Sequence, residues 1–260
     1  MKSITSKEFI AAVTENPAWA STLTAAVRIT DYCDMRKSKI THLSPLLNFA
    51  GWDIFANAAD FTGCKFLTVA EGTFDRGVIF EKSGIERIGM LVIKQPNDRR
   101  RAASFAGCKK LKIAQGSYPG FVSFFGSGVE MVGDLHISHS DGDGEAADFG
   151  ECKSLKVAEG TYPGRVNYKW SGVRLIGELT ITKPNKAGNA ASFERCYSLG
   201  KAEGRFPGFV HFRKSGIREI GNLEITKPNN TKLAADLSEC RSLEVAEGSF
   251  PGFVRFDRSS

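Results

Sequence analysis

Residues 146–160 read AADFGECKSLKVAEG, and 44 residues later the chain returns to the same line as AASFERCYSLGKAEG (190–204). Further copies open at AADFTGC (58), AASFAGC (102) and AADLSEC (234), so Cys64, Cys108, Cys152, Cys196 and Cys240 recur at a fixed interval of 44. Such a period marks a repeat architecture, in which each unit buries its apolar face against its neighbours. The array runs over 58–260, as 58–101, 102–145, 146–189, 190–233 and a partial 234–260. It leaves 1–57 as an N-terminal cap.

Inside one copy a fainter repetition aligns FTGCKFLTVAEGTF (61–74) with FEKSGIERIGMLVI (80–93), so each copy reads as two unequal turns. Short period-2 strands between Gly and Pro-Asn breaks suit an all-β solenoid, a stack of coils built from 44-residue double repeats. The glycines Gly72, Gly116, Gly160, Gly204 and Gly248, with Gly89, Gly133, Gly177 and Gly221, are expected at the corners, where φ is positive or backbones approach closely. A five-bladed β-propeller is the alternative, since a period of 44 also fits a four-stranded blade and the chain ends on half a unit.

The F-x-x-C-x-x-L step (Phe149, Cys152, Leu155) and the V-x-x-I-G-x-L-x-I step (Val173, Ile176, Gly177, Leu179, Ile181) resemble the BspA-type leucine-rich repeats of bacteria. The second step is also similar to the coils of receptor L domains. The resemblance covers 58–260 at the level of short motifs, and the double unit departs from the usual single repeat. It implies a leucine-rich-repeat-like scaffold for adhesion or protein recognition, and it carries over no catalytic residue.

The ends read differently from the array. Thr5-Ser6-Lys7-Glu8 is a capping box ahead of Phe9, Ile10 and Val13, which predicts a capping helix over 6–14. SKITHLSPLL (38–47) aligns with SGIERIGMLV (83–92), a degenerate half-repeat within the cap. The chain stops at FVRFDRSS without a covering helix, and an exposed coil edge invites pairing. The expectation is a homodimer through the C-terminal coil, or ring closure if the propeller holds. The N-terminus lacks a signal-peptide pattern and no stretch approaches a membrane span, so the chain reads as soluble, cytoplasmic and without membrane contact.

Five of the six cysteines stand at one per copy, and the set reads as a reduced, buried ladder of small apolar side chains. Two turns per copy separate neighbouring cysteines by roughly 9–10 Å, beyond the span of a disulfide and too far for shared zinc. No metal or cofactor is implied. The histidines His42, His136, His139 and His211 do not converge with a nucleophile, so no catalytic residue is assigned and the chain is read as not an enzyme. The acidic loop Asp141, Asp143, Glu145 has an incomplete calcium pattern and reads as a turn. A polysaccharide lyase would need a cluster of carboxylates and arginine that cannot be assembled, and paired threonines for ice binding occur only at Thr180 and Thr182.

The functional face follows from alternation. Val78, Val122, Val166, Val210 and Val254 point inward, as do Phe80, Phe124, Tyr168, Phe212 and Phe256. The intervening positions then face out and form the candidate binding surface: Phe121, Arg165, Phe209 and Phe253; His211 and Arg255; Phe125, Lys169 and Arg213; with Trp170 in the next column. Aromatic and arginine side chains of this kind dominate protein interfaces. The reading is a non-enzymatic scaffold that recognises a protein partner through this aromatic and basic face. The alternative is a polyanion or nucleic-acid binder, supported by a net charge of +6, a pI near 9.0 and the run Arg99-Arg100-Arg101. One position breaks a column taken as core: Lys201 falls where Val69, Ile113, Val157 and Val245 stand, so Lys201→Val is expected to stabilise.

Overall fold

A computed structural model describes residues 1–259. It divides into two compact units, Met1–Gly128 with Gly133–Ser138, and Val129–Val132 with His139–Ser260. Each is an all-β solenoid in which every coil contributes one short and one longer strand. No helix among the described residues is long and apolar enough to cross a membrane.

In the first unit the short strands Cys33–Asp34, Asn57–Asp60, Gly77–Ile79, Arg101–Ser104 and Phe121–Ser123 stack in sequence order. In the second the corresponding strands are Glu145–Asp148, Arg165–Asn167, Asn189–Ser192, Phe209–His211, Leu233–Asp236 and Phe253–Arg255. The pairings are parallel, as between Ala59 and Val78, Val78 and Ala103, Ala191 and Val210, or Val210 and Ala235. A propeller blade pairs antiparallel strands joined by hairpins, so the five-bladed alternative is excluded.

The longer strands form the opposite wall. Val69–Phe74 pairs with Arg87–Ile93, and in the second unit Val157–Tyr162 pairs with Leu175–Ile181 and Lys201–Phe206 with Glu219–Ile225. The Gly72 column does not turn a corner. Gly72, Gly116, Gly160 and Gly204 hold φ between +104° and +109° inside these strands, and the registers that are resolved there slip at the glycine, as between Ala70 and Gly72. Gly89 has ordinary backbone and is glycine for lack of room: a Cβ there would stand 2.4 Å from the Glu71 carboxylate.

The corner on the Ser-Gly side is turned instead by one left-handed residue per coil. In the first unit these are Lys37, Gly63, Lys82, Gly107 and Gly126; in the second, Glu151, Trp170, Arg195, Lys214, Glu239 and Arg258, with φ from +53° to +73° throughout. The opposite corner is turned by a side chain. Asp53, Asn97, Asp141, Asn185 and Asn229 stand 44 apart, and each accepts backbone N–H bonds from the residues two and four positions on.

Between the walls runs a column of stacked rings. Phe61, Phe80, Phe105 and Phe124 follow one another at 5.3–5.5 Å in the first unit, and Phe149, Tyr168, Phe193 and Phe212 at 5.2–5.5 Å in the second. The valine and aromatic columns of the short strands point inward as the alternation predicts, except that Phe256 in the last coil is 44% exposed. All six cysteines are free and buried.

The predicted N-terminal helix is present over Ser6–Glu15, with Glu8 N–H donating to the Thr5 hydroxyl and Thr5 N–H to the Glu8 carboxylate. Its buried Phe9 meets Phe49 edge-on at 5.7 Å. The strands Lys2–Ile4, Val27–Ile29 and Leu47–Phe49 pair in parallel and run on into Val69–Phe74, so this region belongs to the stack.

Candidate functional site

The outer face of the short-strand wall carries the residues expected to bind, and the structure revises their character. Phe121 and Phe209 do not face water: they are only 9% and 8% exposed. Each opens its strand directly after a Pro-Gly step and beside the side-chain-closed corner of the preceding coil, with Phe121 N–H donating to the Arg100 carbonyl and Phe209 N–H to that of Gly188. The corner loop lies so close that a Cβ on Gly120 or Gly208 would stand 2.3 or 2.4 Å from those same carbonyl oxygens. The loop does not by itself cover the rings, since Phe253 makes the same contact with the Lys232 carbonyl and is exposed. Arg101 lies over Phe121 at 5.4 Å, and Phe209 packs against the His211 ring at 5.7 Å. Phe125 and Phe253 are exposed, at 41% and 69%.

The cations expected on this face are present but neutralised. Arg165 pairs with Glu145 at 2.9 Å, Lys169 with Glu194 at 2.8 Å and Arg213 with Glu239 at 2.7 Å. His211 lies 3.2 Å from Asp236 and 3.8 Å from Glu194, and Arg255 stands 3.9 Å from Asp236 and 3.8 Å from Asp257. Burial alone would raise the Asp236 carboxyl, but hydrogen bonds from His211 and Ser238 outweigh it and bring it down to about 2. Burial has the upper hand at Asp148, whose carboxyl is raised although the Gly150 N–H and the Asn167 amide donate to it. The face is thus a lattice of opposite charges on adjacent coils.

Trp170 sits at the left-handed corner with φ +63°. The Arg195 guanidinium lies 4.5 Å from its ring and the Lys153 ammonium 5.2 Å, while exposed Tyr197 meets it edge-on at 5.8 Å. Lys153, Arg195 and Tyr197 were not singled out from the sequence: Lys153 and Tyr197 share a column that is otherwise basic, as solvated corners are, and the Arg195 column varies between Gly, Glu and Arg.

The Asp141–Glu145 segment is the closed corner of its coil: the Asp141 carboxylate accepts N–H bonds from Asp143 and Glu145. Among the described residues there is no group of three or more His, Cys, Asp or Glu side chains placed to hold a metal ion.

The largest feature that sequence reasoning missed lies in the first unit. Trp52, Ile54 and Phe55 are exposed by 53%, 87% and 52%. They sit on the corner closed by Asp53, where later copies place Pro96, Asp98 and Arg99 or Pro184, Lys186 and Ala187. Arg76 lies over the Trp52 ring at 5.3 Å and Arg99 over Phe55 at 5.8 Å. Asn97 donates to Asn57 at 3.0 Å, tying the corner that holds Arg99 to the one that holds Phe55. Among the described residues Arg76, Arg99, Arg100 and Arg101 form no ion pair, in contrast to the lattice above. The signal was available as GWDIFA (51–56), three large apolar residues in a segment aligned with polar corners.

No protein-family model, curated protein or solved structure matches this chain.

Proposed function

We propose that this protein is a non-enzymatic recognition scaffold that binds a protein partner through the Trp52, Ile54 and Phe55 corner and the arginines stacked on it. One observation carries the reading: a corner whose backbone is repeated along the chain displays large apolar side chains in this copy alone. Repeats hold the frame constant while the variable side chains provide specificity. Tryptophan and arginine at the centre of such a patch are the residue types that supply most interface energy, and contiguous exposed apolar surface of this kind marks interaction sites. The unpaired arginines favour a partner with carboxylates around an apolar centre. The resemblance to BspA-type repeats agrees with a recognition role.

The test is affinity capture from nuclease-treated lysate, comparing wild type with the folded triple variant Trp52→Ser/Ile54→Ser/Phe55→Ser. A protein held by the wild type and lost by the variant supports the reading, and equal capture by both refutes it. A second reading, a polyanion held by Arg76 and Arg99 to Arg101, is favoured by the absence of ion pairs at these four residues. It requires binding that weakens steeply with modest salt and survives loss of the aromatic side chains.

A further inference from the structure

Adjacent coils of the second unit place opposite charges side by side. Arg165 meets Glu145 at 2.9 Å, Lys201 meets Glu219 at 3.0 Å, Arg205 meets Glu224 at 3.2 Å and Arg213 meets Glu239 at 2.7 Å. One neighbouring pair breaks this pattern. Arg174 stands next to Lys156 in the stack, its backbone N–H donating to the Lys156 carbonyl at 2.8 Å, and both side chains are exposed. Neither forms an ion pair among the described residues. Like charges on adjacent coils repel, and a single carboxylate, that of Glu130, lines the pocket beside them.

The pair borders an open pocket of about 250 Å³, lined also by Lys153, by Ser154 and Ser198, and by Glu130. Lys153 is fixed in place, donating to the Trp170 carbonyl and lying over the Trp170 ring at 5.2 Å. The coil beyond Arg174 leaves the approach clear: Gly200 N–H donates to the Arg174 carbonyl at 3.3 Å, and a Cβ on Gly200 would meet nothing within 4 Å. Three cations and one carboxylate give the wall a net charge of +2 (3 − 1). A phosphate monoester carries about −1.5 to −2 at neutral pH and offers several strong acceptor oxygens.

We infer that this pocket is a phosphate site, taking free phosphate or the phosphate group of a monoester between Lys156 and Arg174. The guanidinium of Arg174 supplies a planar fork that matches two phosphate oxygens, and Lys156 and Lys153 supply point charges. The Ser154 and Ser198 hydroxyls line the same pocket and are available as donors to the remaining oxygens. The inference is independent of the Trp52 corner, which lies in the other unit.

The experiment is thermal unfolding at fixed pH and ionic strength while chloride is replaced by inorganic phosphate, with a parallel arm using O-phosphoserine. Wild type and Lys156→Gln/Arg174→Gln are compared, the substitutions lying at exposed positions that leave the core intact. The wild-type midpoint is expected to rise with phosphate. The double variant is expected to melt higher than wild type in chloride, because the repulsion is gone, and to respond less to phosphate. A larger rise with O-phosphoserine than with phosphate at equal concentration assigns the site to phosphorylated side chains, and an equal rise assigns it to phosphate itself. The inference is overturned if the wild-type midpoint does not move, or if the double variant responds as strongly as the wild type.

Discussion

The Cys108 thiol lies 3.4 Å from the Ser83 hydroxyl of the preceding coil and donates to the Phe80 carbonyl at 3.0 Å. The same pairing joins Ser38 to Cys64, Ser171 to Cys196 and Ser215 to Cys240. The cysteine ladder read from the sequence is therefore a ladder of alternating serine and cysteine, polar within an otherwise apolar wall. Burial raises the thiols of Cys33, Cys64, Cys108, Cys196 and Cys240, that of Cys196 to about 11, which keeps them protonated near neutral pH. Thiol labelling is expected to wait for unfolding, and reductant to leave the melting temperature unchanged. Cys108→Ala removes the sulfur and one of two donors to the Phe80 carbonyl, leaving the Ser83 N–H at 3.2 Å, which should cost about 1–3 kcal/mol in urea unfolding.

Tyr168 fills a place in the ring column that Phe80, Phe124 and Phe212 fill without a hydroxyl. Its hydroxyl is buried, and although the Tyr162 hydroxyl lies beside it the two do not meet hydrogen-bonding geometry. Tyr168→Phe keeps the ring stacked between Phe149 and Phe193 and removes the unsatisfied group. A gain of about 1 kcal/mol is expected in denaturant unfolding, and a loss would show that the hydroxyl is satisfied in solution.

Lys82 adopts φ +53° at the corner where Gly63, Gly107 and Gly126 do the same work without a side chain. A lysine there is strained in a way that glycine is not. Lys82→Gly also gives the unfolded chain more freedom, which offsets part of the relief. The net expectation is a stabilisation of up to about 1 kcal/mol, read from the shift in urea midpoint.

Lys201 corrects a sequence expectation. The Val69, Ile113, Val157 and Val245 column faces outward, and Lys201 occupies it without shifting its strand, bridging Glu203 at 3.4 Å and Glu219 at 3.0 Å. Those carboxylates, first by accepting a hydrogen bond at Glu219, raise the lysine's pKa. Lys201→Val is now expected to leave the melting temperature nearly unchanged, because exposed ion pairs contribute little and no buried charge is relieved. A large rise would restore the column to the core.

The contrast between Lys201 and Phe124 explains how far the sequence could be read. The inward columns of the short strand were legible because Val and Phe recur there with strict alternation. The longer strand carries a bulge at Gly72, which shifts the alternation midway and makes Val69 look like a core residue when it is not. Phe121 and Phe209 were misplaced for a different reason. They alternate outward correctly, but Arg101 lies over one ring and His211 packs against the other, and alternation does not report what covers a face. The Trp52 corner escaped notice because it precedes the first copy that the cysteine interval marks, although its Asp53 turn obeys the same interval as Asn97. The charge lattice required the register between coils, which pairs His211 with Asp236 across 25 residues of sequence.

That last pair gives the pH dependence. Asp236 is 5% exposed, and its carboxyl titrates at about 2 in the folded protein against the model-compound value of 3.8. The unfolded chain takes up this proton first as the pH falls, so acid favours unfolding. The contribution of Asp236 is complete above about pH 4 and is lost as the pH drops through about 2. The interval corresponds to about 2 kcal/mol. Urea unfolding across that range should show a decline in wild type that is shallower in Asp236→Asn, which has no proton to take up. Parallel declines in the two proteins would mean that the carboxylate is not held by His211 and the Ser238 N–H as the structure places it.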